Sequence, residues 1–145
     1  MKYILISILF LSLSSLTCNS DNGITGHWQC NSNGTYKTLH NGVWTEIPVA
    51  DFYSTIQIHP LEFEFNPDET FRSIIHKADG SVQVKEGNFV TNFEGDPNKI
   101  FVSMPNDTSD DLYITTISRS GNQWHAEFYQ PADEFILNLY LQKLF

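Results

Sequence analysis

The sequence predicts an all-β protein whose strands close into a single antiparallel up-and-down barrel. Short runs of alternating apolar and polar residues recur at intervals of about 8–12 residues, with turn-forming residues between them. No window keeps apolar residues at the i, i+3, i+4 and i+7 spacing of a full amphipathic helix. A closed barrel of about eight such strands has room inside for side chains or for one small ligand.

The strand signals follow one another along the chain with turns between them. Short strands are expected first at residues 26–31, 35–40 and 43–47, and a short helical turn is expected only at residues 51–56. The middle and the end of the chain predict further strands at residues 61–65, 70–75, 81–85, 87–93, 99–104, 111–118, 123–129 and 134–144.

Two of these signals are specific. The Asp79-Gly80 pair is the strongest short hairpin signal, and it lies between two alternating runs. In residues 134–144, which we expect to be the longest strand, apolar residues occupy one face and mixed residues the other. The apolar face suits a wall strand between core and solvent, and it contains Phe135, Leu137, Leu139 and Leu141.

The first 17 residues predict an export signal. Lys2 precedes a short apolar region, and small polar residues lead from it to Cys18. A membrane-spanning helix needs about 20 consecutive apolar residues, which this region does not have. We therefore expect a lipoprotein-type signal peptide at residues 1–17, a short tether at residues 18–23 and one domain at residues 24–145.

Cys18 has two possible fates. Ser15-Leu16-Thr17 before it resembles a lipoprotein signal box, although Leu16 stands two residues before the cysteine rather than the usual three. Acyl chains on Cys18 would anchor the protein to a membrane. Without lipid, Cys18 could instead pair with Cys30 in an oxidising compartment.

The charge excludes two classes of partner. The whole chain has 8 basic and 17 acidic residues and a net charge of −9, and removal of Lys2 with the leader makes it more negative. Nucleic-acid binding needs clustered Lys and Arg, so no nucleic acid is expected as a partner. Docking of the protein surface on anionic lipid is disfavoured for the same reason.

Three short motifs carry a resemblance to a family. They are Gly26-His27-Trp28, the hairpin from Phe63 to Phe71, and Leu139-Tyr140-Leu141-Gln142-Lys143-Leu144. Together they resemble the small lipocalin-like lipoproteins of Bacteroides-type bacteria, over residues 24–145. The resemblance implies that Gly26 and Trp28 close one barrel end, with Lys143 across the indole, a cation–π contact of about 0.5–2 kcal/mol. The alternative is that Trp28 is an ordinary core residue.

The same resemblance has departures. Glu69 stands where the family hairpin has glycine, so the turn geometry there could differ. A second lipocalin motif is missing from the sequence, and ligand binding is therefore not carried over from the family.

Polar clusters favour ordinary surface roles. The five histidines His27, His40, His59, His76 and His125 lack ligand spacing, so neither a metal site nor a cofactor is expected. Asp107, Asp110 and Asp111 predict a solvated loop rather than a calcium site. Glu62 and Glu64, with Glu127 considered as a neighbour, could serve a glycoside hydrolase, but alternation predicts that they face water.

Aromatic side chains are the best candidates for a binding role. The ligand-contact candidates are Trp44, Phe52, Tyr53, Trp124 and Phe128, with a packed aromatic core as the alternative. A cavity of about 300 Å³ or more would support a ligand site, and a solid core would remove it.

These observations predict a non-enzymatic protein of the bacterial cell envelope. We expect it to be lipid-anchored, with the outer membrane as the first location and the periplasm or the medium as alternatives. It would bind a small apolar ligand or a protein partner. The rival hypothesis is a structural or interaction protein with a filled core.

Overall fold

The computed structural model describes residues 23–106 and 110–145, and Cys18 and the predicted leader lie outside them. Within the described residues, one α-helix, α1 (Val49–Ile56), and a 3-10 turn at Phe93–Gly95 accompany the strands. The strands are β1 (Gly26–His40), β2 (Val43–Pro48), β3 (Glu62–Phe65), β4 (Thr70–His76), β5 (Val82–Val90), β6 (Lys99–Ser103), β7 (Leu112–Ser120), β8 (Gln123–Gln130) and β9 (Phe135–Lys143).

The strands form a closed antiparallel barrel, which confirms the predicted all-β fold. Strands β3 to β9 are neighbours in sequence order, and β9 pairs with β1 to close the ring. β3 pairs with the first part of β1, from Gly26 to Gln29. β2 pairs with the last part of β1, from Thr35 to His40, and is the one strand added to the eight of the barrel.

β1 is a single strand of 15 residues, whereas the sequence predicted two shorter ones. Its register with β9 shifts between Cys30 and Gly34, which marks an irregularity that bends the strand without ending it. Gly34 has a φ of 120°, and the Asn138 carbonyl oxygen occupies the place of a side chain there. The prediction that residues 134–144 form the longest strand is wrong, because β9 has only 9 residues.

The expected helical turn is a helix of 8 residues, α1. Its C-terminal cap, Gln57, has a left-handed φ of 57° and turns the chain towards β3. Val49 and Tyr53 are buried on the side of the helix that faces β1. Phe52 and Ile56 line the interior cavity, so α1 lies against one end of the barrel.

The hairpin between β3 and β4 keeps a left-handed residue although it has no glycine. Glu69 has a φ of 66°, and its amide donates to the Asn66 carbonyl oxygen over 3.0 Å. Both the hydroxyl and the amide of Thr70 donate to Asp68, and these hydrogen bonds lower the pKa of its carboxyl. Side-chain hydrogen bonds therefore support a backbone conformation that glycine would adopt more readily.

Burial follows the predicted alternation. Phe63 and Phe65 point into the barrel, while Glu62 and Glu64, which alternate with them, lie on the outer face. On β9, the predicted apolar face is buried at Leu137, Leu139 and Leu141. Alternation therefore identifies the inner face correctly in these two strands.

The two ends of the barrel differ. Aromatic rings fill one end, which we call the closed end, and edge-to-face contacts join several of them. The opposite end, which we call the open end, lies against α1 and contains a cavity. The rings of the closed end are Trp28, Phe65, Phe71, Phe89 and Trp124.

Candidate functional site

Trp28 lies at the centre of the closed end. Its side chain is fully buried, and the indole Nε1 donates to the Ile24 carbonyl oxygen over 2.7 Å. Its ring meets that of Trp124 edge to face, with 5.3 Å between centroids. This hydrogen bond satisfies the one polar group that the indole would otherwise leave buried without a partner.

Lys143 and Gly26 complete this end. The Nζ of Lys143 lies 5.4 Å from the Trp28 ring centroid, within cation–π range. A side chain at Gly26 would collide with Lys143 and with the carbonyl oxygen of Phe145. The three residues that the resemblance implies for barrel closure are therefore neighbours here.

The open end contains a cavity of about 160 Å³ inside the barrel. Two of the candidate ligand-contact residues, Phe52 and Phe128, line it. The other apolar lining residues include Ile56, Ile58, Leu61, Phe63, Ile75, Met104, Leu112, Phe135 and Leu137.

Polar groups converge at one side of this cavity. Lys85 Nζ donates to Asp110 Oδ2 over 2.8 Å, and Gln130 Nε2 donates to Asp110 Oδ1 over 3.1 Å. Gln130 is 4% exposed, and Ser73 lies on the same lining. An inward-facing lysine and carboxylate could orient one polar end of a ligand, while the rest of the lining accepts apolar groups.

The other three candidate ligand-contact residues lie away from the cavity lining. Trp124 belongs to the closed end, is 1% exposed and donates from Nε1 to Thr116 Oγ1 over 3.0 Å. Trp44 lies on β2, where it is 45% exposed. Tyr53 belongs to α1 and is buried on the face of the helix turned towards β1. Only Phe52 and Phe128 therefore share a site.

Tyr53 forms a buried pair with Cys30. Burial is the main cause that raises the pKa of each group far above its ordinary value. At Cys30 the Tyr53 hydroxyl partly lowers the pKa and Glu62 raises it, and at Tyr53 the neighbouring Cys30 raises the pKa further. The Tyr53 hydroxyl has no hydrogen bond of good geometry among the described residues. Cys30 is a free thiol and is 3% exposed. It therefore packs in the core as a small apolar side chain does.

A network of charged groups covers the outer face at β1, β3 and β4. Glu62 Oε2 lies 2.6 Å from His27 Nε2, and Glu62 Oε1 lies 3.3 Å from His76 Nε2. Glu64 lies 3.3 Å from His27 Nδ1 and 3.8 Å from Arg72. The ordinary surface role expected of the histidines, in solvent or in a turn, is therefore wrong for His27, whose side chain is 12% exposed.

The two described aspartates of the acidic loop, Asp110 and Asp111, bind groups of the barrel, so they are not merely solvated. Asp110 binds Lys85, and Asp111 Oδ1 accepts a hydrogen bond from the Met104 amide over 2.7 Å. Asp107 lies outside the described residues. In the described part of the chain, His, Cys, Asp and Glu side chains form no group of three or more that could hold a metal ion.

Sequence reasoning missed the polar side of the cavity. Lys85 lies two residues from Gly87 and four from Phe89, both of which are buried, so the strand period places all three on the inner face. This two-residue period was the sequence signal that could have placed Lys85 on the inner face. The pairing of Lys85 with Asp110 joins residues 25 positions apart, and no local pattern reveals it.

No protein-family model matches the chain, and no curated protein matches it. The barrel is the architecture that the lipocalin-like resemblance implies, with eight closed strands and one more. None of the helices in residues 23–106 and 110–145 is both long and apolar enough to cross a membrane.

Proposed function

We propose that this protein is an exported, lipid-anchored binding protein of the cell envelope, similar to the lipocalin-like lipoproteins. Its ligand would be a small apolar group held in the cavity at the open end of the barrel. The observation that carries this proposal is a mostly apolar cavity with Lys85, Asp110 and Gln130 at one side. Such sites, apolar with a few converging polar groups, are typical of small-molecule binding.

The cavity volume limits the size of the ligand. About 160 Å³ is below the roughly 300 Å³ expected of a site for a drug-sized molecule. It is close to the size of an engineered apolar cavity of about 150 Å³ that accepts benzene. A ring or a short alkyl chain would fit inside, and any larger part of a ligand would project from the open end.

The small volume also favours a second candidate function. In this alternative the barrel core is filled, the cavity is only a gap in its packing, and the protein acts as a structural or interaction module. The packed closed end supports this alternative, because its aromatic rings are buried and pack against one another inside the barrel.

The proposed absence of enzymatic activity rests on the carboxylates. Glu62 and Glu64 point away from the interior cavity and are engaged by His27, Arg72 and His76. A glycoside hydrolase needs a pair of carboxylates that face a substrate cleft. The engaged pair on the outer face therefore favours a binding role.

Export and anchoring rest on the leader alone. A positive charge, a short apolar region and Cys18 follow one another in the order of a lipoprotein signal. Acyl chains on Cys18 would hold the domain at a membrane, and two chains give stable anchoring. The outer membrane is the proposed location, with a periplasmic or secreted protein as the alternative.

Ligand binding is tested with small probes. Benzene and 1-hexanol are titrated into the protein while backbone amide shifts are followed by nuclear magnetic resonance. We expect shifts around the open end, and we expect Leu112→Phe, which fills part of the cavity, to abolish them. Ile117→Phe on the same strand is the control, because Ile117 is 51% exposed and lies outside the cavity lining.

Two results would decide against ligand binding. If neither probe causes shifts, or if the shifts persist in Leu112→Phe, the interior does not bind ligands and the filled-core alternative stands. The anchor is tested separately by mass spectrometry of the native protein. A diacylglycerol mass on Cys18 supports anchoring, whereas a mature start at another residue contradicts it.

A further inference from the structure

A ladder of apolar side chains crosses the outer face of the barrel. Val90 on β5 is opposite Phe101 on β6, Phe101 is opposite Tyr113 on β7, and Tyr113 is opposite Tyr129 on β8. Ile136 on β9 continues the row. The adjacent residues in these strands point into the core, so the ladder faces solvent, and Tyr113 and Tyr129 are 38% and 37% exposed.

The rings in this ladder are in mutual contact. Phe93, in the 3-10 turn, stacks on Phe101 with 5.1 Å between centroids and lies 5.8 Å from Tyr113. Phe101 and Tyr113 are 5.1 Å apart, and Tyr113 and Tyr129 are 6.5 Å apart. Contiguous exposed apolar patches, especially ones with polar residues at their rim, are candidates for interaction sites.

A second ladder, made of polar side chains, runs beside the first. Lys99 is opposite Thr115, and Thr115 is opposite Glu127, each two positions along its strand from an aromatic residue. Residues two apart in a strand share a face, so both ladders point outward. Among the described residues, the side chains of Lys99 and Glu127 form no ion pair or hydrogen bond, and their bonding capacity is free.

Tyr113 and Tyr129 of the apolar ladder, together with the polar ladder and Phe93, line a groove of about 440 Å³ on the barrel surface. This volume lies in the range of about 300–1,000 Å³ typical of ligand sites, and it exceeds that of the interior cavity. The lining that matters here comprises Phe93, Tyr113, Tyr129, Lys99, Thr115 and Glu127.

We propose that this groove binds a neutral saccharide chain. Sugar rings present C–H groups on their faces, which are attracted to the negative faces of aromatic rings such as Tyr113 and Tyr129. Their hydroxyls can donate to the Glu127 carboxylate and accept from the Lys99 ammonium. The net charge of −9 disfavours an anionic polymer, which agrees with an uncharged saccharide.

Other ligand classes fit these ladders less well. A β-strand from a partner protein needs an unpaired strand edge, whereas β6, β7 and β8 each have a neighbour on both sides. A wholly apolar ligand would bury Lys99 and Glu127 without hydrogen bonds, which costs free energy. A ligand with both apolar faces and hydroxyls satisfies the two ladders together.

The test uses the purified full-length protein and three neutral hexasaccharides: maltohexaose, cellohexaose and xylohexaose. Isothermal titration calorimetry should detect binding of at least one, with a Kd below about 10 mM. Tyr113→Ala, Tyr129→Ala and Glu127→Gln should each weaken it by about tenfold or more, equivalent to about 1.4 kcal/mol. Tyr140→Ala is the control, because this 41% exposed tyrosine lies outside the groove and should change the Kd by less than about twofold.

Three outcomes would overturn the proposal. The first is that none of the three saccharides binds. The second is that binding survives in the Tyr113→Ala/Tyr129→Ala double variant, in which both changes are at exposed positions and leave the core intact. The third is a wild-type dimer by sedimentation that Tyr113→Ala converts to a monomer, which would make this face a contact between two copies. The groove lies outside the barrel, so Leu112→Phe should leave saccharide binding unchanged and separate this proposal from the interior site.

Discussion

The Lys143 ammonium lies 5.4 Å from the centre of the Trp28 indole, and the two residues are cross-strand partners in β9 and β1. This contact joins the first and last strands of the barrel, so it lies at the seam that closes the ring. The indole is fully buried, and the ammonium covers it at the closed end. Because the contact bridges the two ends of the chain, its loss should weaken the whole domain.

Lys143→Gln should lower the free energy of unfolding by about 0.5–2 kcal/mol, the range of a cation–π contact. Lys143→Arg should retain most of it, because a guanidinium also interacts with an indole ring. Urea unfolding followed by circular dichroism measures the difference. Lys77→Gln, at an exposed position, is the control and should change stability by less than about 0.5 kcal/mol. Equal effects of the two glutamine variants would contradict a role for the indole contact.

Gly34→Ala should destabilise the barrel more than Gly42→Ala does. Both glycines have a positive φ, of 120° and 77°, so both alanine variants carry backbone strain. Only at Gly34 would the new methyl group meet a backbone atom, the Asn138 carbonyl oxygen, whereas Gly42 faces open space. We expect a further loss of about 1–3 kcal/mol in Gly34→Ala, measured by guanidinium unfolding. If the two variants lost similar amounts of unfolding free energy, β1 would have to shift at its irregular register and accept a side chain at Gly34.

Glu62→Gln should lower the stability of the fold, because this carboxylate binds several partners. It is 14% exposed and accepts hydrogen bonds from His27 and, at 3.4 Å, from Gln29. A hydrogen bond to a charged group contributes about 1.5–3 kcal/mol, so a loss of that order is expected in thermal unfolding. Glu86→Gln is the matched control, since Glu86 is 64% exposed in its pair with Arg72 and should cost less than about 1 kcal/mol. A larger effect at Glu86 would refute this ranking.

Stability should fall in alkali because of Cys30 and Tyr53. Burial raises the pKa of both groups in the folded protein, so both stay protonated there. The unfolded chain loses the thiol proton above about pH 8.5, and stability is therefore full below that pH and decreases as the pH rises. The slope for one group is about 1.4 kcal/mol per pH unit. Urea unfolding between about pH 8 and pH 10 should give a shallower slope for Cys30→Ala than for the wild type. The same slope in both proteins would show that the thiol does not contribute.

Strand alternation predicted much of the fold where one face of a strand is buried. Phe63 and Phe65 in β3, and Leu137 and Leu139 in β9, occupy the inner face as expected. Alternation was misleading in β5, where Val82 and Val84 form an apolar row but are 54% and 48% exposed. The inner face of β5 is set instead by its pairing with β4, and this pairing places Lys85 inside.

The candidate sites were less accessible to sequence reasoning than the fold. Phe52 and Phe128 share the cavity as proposed ligand contacts, but Trp124 is part of the closed end and Trp44 lies on β2. The presence of an aromatic residue in the sequence does not show whether it lies in the core, at the barrel rim or in a surface groove. The aromatic ladder is formed by Phe101, Tyr113 and Tyr129 only because β6, β7 and β8 pair in one register.

The sequence by itself determined that this chain is acidic and built of short strands, because composition and alternation are local properties, and it predicts a lipoprotein-type leader. Only the tertiary structure decided which residues meet: Lys85 with Asp110 in the cavity, and Tyr113 with Tyr129 on the outer face. Register and barrel closure bring together residues far apart in the chain, and a shift of one residue would exchange the inner and outer faces. The position of every candidate site in this protein depends on that register.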